Sequence, residues 1–237
     1  VQDHIIETHH LWKRYGKTEA LRDINLLIEK GTFLTLFGPN GSGKTTLIQI
    51  LATLSRPTSG YVKLYGSNPE TEGNHIRKNI GVVSHYSFLY PSLTAYENLK
   101  FHGQMFEIAQ LEERIAFLLH EVGLFSRMHD AARTFSRGMQ QRLSIARALL
   151  HNPSVLLLDE PYAGLDYAAA NMLRQVFERS RKESRTILLT THDFDRGLEQ
   201  CDTLAVLVKG RLVYAGVANA IDRSRLVTIQ VSESNEE

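Results

Sequence analysis

Gly38-Pro39-Asn40-Gly41-Ser42-Gly43-Lys44-Thr45-Thr46 decides how the rest of the chain is read. It has the form G-x-x-x-x-G-K-[ST], a loop that binds phosphate groups. A run of phosphates carries several negative charges, and many donors must reach it at close range. The glycines let the backbone wrap inward so that its N–H groups face the anion. Lys44 extends to the β and γ oxygens, and the Thr45 hydroxyl can hold Mg2+. The flanks agree with this reading. Residues 32–37 (TFLTLF) form an apolar run expected to be a buried strand, and residues 44–54 are expected to form a helix. The dipole of that helix would point its positive end at the anion.

Two further stretches repeat the logic of a strand ending in chemistry. Residues 155–158 are wholly apolar and run into Asp159-Glu160-Pro161. A buried parallel strand delivers the residues at its carboxyl end to the ligand crevice. Asp159 is thus a candidate to hold Mg2+, through water, since that ion keeps several waters. Glu160 is a candidate to orient the attacking water or take its proton. Without the phosphate loop, the same two acids would read as a solvated strand cap. Residues 186–191 form another such strand and bring His192 to the same edge, within reach of a γ-phosphate.

Bulk properties narrow the class. A net charge of +1 over 237 residues gives no general case for nucleic-acid binding. Cys201 is the single cysteine, so no internal disulfide forms, as suits a reducing compartment. No run of 18 apolar residues is long enough to span a bilayer. The first residues lack a signal-peptide pattern and an initiator Met, so a few residues are expected to precede them. Residues 232–237 (SESNEE) are expected to be a frayed acidic tail.

Residues 5–11 and 21–28 read as neighbouring strands of a small sheet, and 61–65 and 80–83 as further strands. Between 94 and 150 the strand signal fades. Residues 96–105, 111–122 and 136–150 carry helical spacing, as in Leu143, Ala146, Arg147 and Leu150. A helix over 168–184 then separates two apolar strands, so strand alternates with helix as in a parallel sheet. Residues 204–208 and 211–215 flank Lys209-Gly210 as a closing hairpin.

Phe135-Ser136-Arg137-Gly138-Met139-Gln140-Gln141-Arg142 resembles the signature of the ABC ATPases, whose usual form is Leu-Ser-Gly-Gly-Gln. The phosphate loop, Leu158-Asp159-Glu160-Pro161, Ala163-Gly164-Leu165-Asp166 and Thr191-His192-Asp193 stand around it in the family's order. The chain resembles an ABC transporter ATPase subunit from about residue 4 to about residue 220. The resemblance implies an α/β P-loop NTPase fold, RecA-like, with an N-terminal antiparallel β subdomain and a helical subdomain. It further implies one ATPase domain: a core of 1–85 and 151–226, a helical part of 86–150, and a tail of 227–237. The implied cofactors are ATP and Mg2+.

By the same resemblance two copies sandwich two ATP molecules head to tail, a homodimer being expected. Ser136 is a good N-cap, and the helix it opens has free N–H groups at its start. Ser136 and Gly138 would offer that helix end to the γ-phosphate held by the partner, with Asp166 at the interface. Tyr15 matches the aromatic residue that stacks on adenine, or else is a surface aromatic in a turn. A separate transmembrane permease is implied, with the chain on the cytoplasmic face of the inner membrane. No nucleic-acid partner is implied.

Three residues depart from the family pattern. His85 stands where a Gln usually contacts Mg2+ or the attacking water. A nitrogen ligand suits Mg2+ poorly, so His85 acts through a water or is a plain loop histidine. Arg137 replaces a Gly, and a cation at a helix N-terminus opposes the dipole. Met139 replaces a Gln, as in exporters of the ABC-2 kind. Residues 82–85, 88–99 and 136–142 look most like the haem-exporter ATPase of cytochrome c maturation, and 191–198 fit the same group. The alternative is an exporter of a drug, a lipid or a polysaccharide. Apolar Phe88, Leu89 and Tyr90 would receive a helix of the permease, or else pack within the helical block.

Overall fold

A computed structural model describes residues 4–84 and 87–220. The tail expected at 227–237 and the candidate His85 lie outside the described residues. Two sheets organise the chain. Strands β1 (His4–Tyr15), β2 (Thr18–Glu29) and β4 (Ser59–Leu64) form an antiparallel sheet in the order β2-β1-β4. The second sheet has six strands: β3 (Phe33–Phe37), β5 (Ile80–Val83), β6 (Val155–Asp159), β7 (Thr186–Thr191), β8 (Thr203–Val208) and β9 (Arg211–Val217). Their order is β5-β6-β7-β3-β8-β9, parallel except for the terminal β8–β9 hairpin.

The apolar runs are buried on both faces because the side chains of a strand alternate. Leu156 and Leu158 of β6 face one core, with Ile187 and Leu189 of β7. Val155 and Leu157 face the other, with Leu188. The first core is closed by α3 (Ala95–Met105), α4 (Leu111–Glu121), α5 (Arg137–Leu149) and α6 (Tyr167–Lys182). The second is closed by α1 (Lys44–Leu51) and the antiparallel sheet, through residues such as Leu47, Leu11 and Ile24.

Two short helices escape the sequence reading, α2 (Pro69–Arg77) and α7 (Phe194–Leu198). In α2 the Asn68 side chain caps the N–H of Glu70 and Pro69 opens the first turn, a signal that was present in the sequence. Helix α1 stops at Leu51, short of the expected residue 54, because Thr53 turns into the left-handed region at φ 62°. The β8–β9 turn uses left-handed backbone at both Lys209 and Gly210, as a two-residue hairpin requires.

Candidate nucleotide site

The strand order sets β3 beside β7, and β7 beside β6. Phe37 pairs with Thr191, and Asp159 with Thr190, so the three strands end within a residue of one another. The phosphate loop, Asp159-Glu160 and His192 therefore leave the sheet at one edge, the carboxyl end where α/β sheets bind ligands.

Close approach forces glycine at two loop positions. A Cβ on Gly38 would lie 2.2 Å from Leu207 O, and Gly43 has φ 108° with Ala20 O 2.4 Å from any added Cβ. Lys44 folds back over the loop, Nζ donating to Gly38 O at 2.6 Å and Pro39 O at 2.9 Å. Burial pulls its ammonium below the usual lysine range, while Glu160 and Asp159 push the other way. The first turn of α1 holds no acidic residue, and its leading N–H groups have no acceptor within the helix.

Glu160 sits at the centre. Its Oε1 is 3.8 Å from Lys44 Nζ and 3.0 Å from His192 Nδ1. That oxygen is buried and has no hydrogen-bond partner, the lysine standing beyond hydrogen-bond distance. Glu160 adopts a left-handed φ of 49°, a conformation uncommon outside glycine that persists only where neighbours hold it. Its N–H donates to Thr190 O at 3.2 Å and Thr190 Oγ1 at 3.1 Å. Thr190 Oγ1 in turn donates to Asp159 Oδ1 at 2.7 Å, and Thr45 Oγ1 donates to Asp159 Oδ2 at 2.8 Å.

Thr45 and Asp159 thus offer two hard oxygens side by side. Among the described residues no group of three or more His, Cys, Asp or Glu is gathered as a metal cage. A cation held by this pair takes its remaining ligands from water and phosphate, as Mg2+ does. The donor set fits that ion.

The pocket over the loop has a volume of about 610 Å3 and is walled by Asn40, Lys44, Glu160 and His192 on the sheet side. Thr18, Glu19 and Arg22 of β2 and the Lys209-Gly210 turn form the other wall. Sequence reasoning missed these. Gly210 N–H donates to Ser42 O at 3.0 Å and Arg22 N–H to Gly210 O at 2.7 Å, so the turn braces the loop. Such a contact between distant segments leaves no local sequence signal. Thr190 was missed too, although a threonine near the end of an apolar strand beside the acids was visible.

Residues 21–163 match the family described as ABC transporter. The chain belongs to the ABC transporter family. It is an ATP-binding subunit and an ATPase. It is 32% identical over 209 residues to the ABC transporter ATP-binding protein NatA of Bacillus subtilis (87% of this chain, 85% of that protein). It is 31% identical over 238 residues to the linearmycin resistance ATP-binding protein LnrL of the same organism (98% and 76%). It is 35% identical over 214 residues to the Nod factor export ATP-binding protein I of Cupriavidus pinatubonensis (90% and 66%). A dimeric ATP-binding cassette in a post-hydrolysis state with ADP and Pi superposes at a TM-score of 0.81, with 27% identity (91% of this chain, 100% of that chain).

Other candidate residues of this ABC subunit do not line the pocket over the loop. Ser136 caps α5, its hydroxyl accepting from Met139 N at 3.3 Å, and is exposed. Gly138 lies near Gly164 and Leu165, not against the phosphate loop. Asp166 caps α6, accepting from Ala169 N at 2.8 Å. Tyr15 ends β1, paired with Thr18 of the pocket wall. Its ring is half exposed, with the Lys13 ammonium 4.9 Å from its centre. No helix among the described residues is long and apolar enough to cross a membrane.

Proposed function

We propose that this ATP-binding subunit hydrolyses ATP between two copies of itself and drives a separate membrane permease in an exporter. The observation that carries the reading is the meeting of Lys44, Glu160 and His192 around Glu160 Oε1, beside the Thr45–Asp159 pair. Residues 38–46 wrap the phosphates, with Gly41 at the exposed tip, and Lys44 neutralises the β and γ oxygens. Thr45 and Asp159 hold Mg2+, which when bound offsets the charge of the phosphates. Glu160 Oε1 orients the attacking water and accepts its proton, and His192 steadies that carboxylate and reaches the γ-phosphate. Tyr15 offers its free face to adenine.

The remaining assignments need a second copy. Ser136 and Gly138 present the start of α5 to the γ-phosphate in the partner, with Asp166 at the boundary. The dimeric relative with ADP and Pi supports that reading. The division into a core of 1–85 and 151–226 and a helical part of 86–150 belongs to the same proposal. Residues 85–92 would meet the permease, with Phe88 and Tyr90 as the apolar contact. His85 contributes through a water. The chain then sits on the cytoplasmic face of the membrane, held by the permease.

The cargo reading that the relatives' names support is a drug, lipid or polysaccharide, since one is named for linearmycin resistance and another for Nod factor export. Haem is the second reading, carried by the likeness of residues 82–85, 88–99, 136–142 and 191–198 to haem-exporter ATPases. Purifying the chain with its permease and identifying the bound small molecules separates them. A haem absorbance spectrum selects the second reading, and an amphiphile without it the first. A chain that isolates with no membrane protein rejects both.

A further inference from the structure

Arg147 stands on α5, about three helical turns beyond Ser136. Its Nη2 donates a 2.6 Å hydrogen bond to Val82 O of β5. The guanidinium carbon lies 5.1 Å from the centre of the Phe88 ring. Val82 and Phe88 bracket the segment that leaves β5. One turn earlier on α5, Ser144 Oγ donates to Ser87 O at 3.1 Å. From α3, His102 Nε2 lies 3.3 Å from Phe88 O. Helix α5 thus grips the segment at both ends.

This is a costly way to hold a helix against a strand. Arg147 has no acidic partner among the described residues, and its Nε is buried without a hydrogen bond. Burial pulls the guanidinium down to about 10, so it is still charged at neutral pH. An apolar side chain of similar volume would usually be as stable or better in such a place. A guanidinium supplies something else: one rigid plane that hydrogen-bonds a carbonyl and faces an aromatic ring together.

The ring it faces belongs to a surface patch. Phe88 is 39% exposed, Tyr90 46%, Phe101 39% and Met105 66%. Tyr90 and Phe101 meet edge to face at 5.0 Å, and His102 touches both rings.

We propose that Arg147 is a positioning residue that ties the helix headed by Ser136 to this aromatic patch. A displacement of α5 at its nucleotide end is thereby passed to Phe88 and to the permease docked there. The inference rests on the reading that residues 85–92 meet the permease. Its chemistry is mechanical coupling, and it leaves phosphate cleavage within the ATPase site untouched.

The test uses the chain with its permease. Arg147→Lys keeps the charge and a donor for Val82 O but has no planar face. Phe88→Leu removes the ring. Three quantities are read: turnover of the chain alone, turnover in the complex, and co-purification. Both variants are expected to assemble, and Arg147→Lys is expected to keep the turnover of the chain alone. Stimulation by the permease should fall about tenfold, the scale of a desolvated cation–π contact. The double variant should be no worse than either single one, as for two halves of one contact. Wild-type stimulation in Arg147→Lys, or losses that add in the double variant, overturns the proposal while leaving the docking reading intact. A wild-type chain that neither assembles nor is stimulated overturns the docking reading, and this proposal with it. If Arg147→Lys does not fold, Phe88→Leu decides, and unchanged stimulation there overturns the proposal.

Discussion

Thr45 Oγ1 donates a 2.8 Å hydrogen bond to Asp159 Oδ2, joining the first turn of α1 to the end of β6. The other carboxylate oxygen is held at 2.7 Å by Thr190 Oγ1. Asp159 is therefore held from both sides by hydroxyls. The same Thr190 accepts from Glu160 N, so one buried threonine orients both acids.

Replacing that hydroxyl tests the arrangement. Thr190→Val keeps the shape but leaves Asp159 Oδ1 short of a donor, while Glu160 N–H retains Thr190 O. The loss of a hydrogen bond to a buried charged group costs about 1–3 kcal/mol. The variant is expected to unfold at lower urea and to lose turnover more than ATP affinity, because Glu160 is misplaced while the loop is intact. Urea melts and steady-state kinetics measure both. Turnover equal to wild type would show that Thr190 has no part in placing Glu160.

Glu160→Gln probes the proposed proton acceptor directly. The amide preserves volume and removes the charge facing Lys44 and His192. ATP binding should persist, hydrolysis should nearly vanish, and an ATP-bound dimer should accumulate. Size-exclusion chromatography with ATP reads the dimer, and phosphate release reads turnover. Hydrolysis at the wild-type rate would move the base to another residue.

Much of this site is legible in the sequence because it depends on local chemistry. Gly38 and Gly43 occur where an added Cβ would strike Leu207 and Ala20, and the motif encodes that need. The apolar run of β6 announces a strand buried on both faces, and the acids after it mark its carboxyl end. Arg22 and Lys209 join the pocket only because β2 and the β8–β9 turn pack against the loop, a tertiary contact with no local pattern. Helix α2 hid behind polar residues with one buried side chain, Ile76, and a non-helical Glu72. Helix α7 is five residues long, too short to show a period.

His85→Gln restores the residue that the family pattern has at that position. If the histidine acts through a water, glutamine serves as well, and ATP turnover should be preserved. Phosphate release from the variant checks this. An inactive variant would give His85 a role of its own.

The acid sensitivity of the fold should trace to His151. Its ring stacks on Phe106 at 4.1 Å, and its Nε2 lies 3.0 Å from Ile80 O, which fixes the proton on that nitrogen. Nδ1 is buried without a hydrogen-bond partner. Burial, with Arg147, Arg114 and Arg185 nearby, pushes the imidazole down to about 4, against the hydrogen bond to Ile80. The unfolded chain takes up a proton near the ordinary value of 6.5, and the folded chain refuses it until about 4. Stability from this group is thus complete above about pH 6.5 and is lost as pH falls through that window, roughly 2.5 kcal/mol by pH 4.5. His151→Phe keeps the stack and cannot titrate. It should be less stable than wild type at neutral pH by about 1 kcal/mol, for the lost bond to Ile80. Its urea midpoint should then fall less steeply on acidification. Equal slopes for the two proteins would assign the acid sensitivity to other groups.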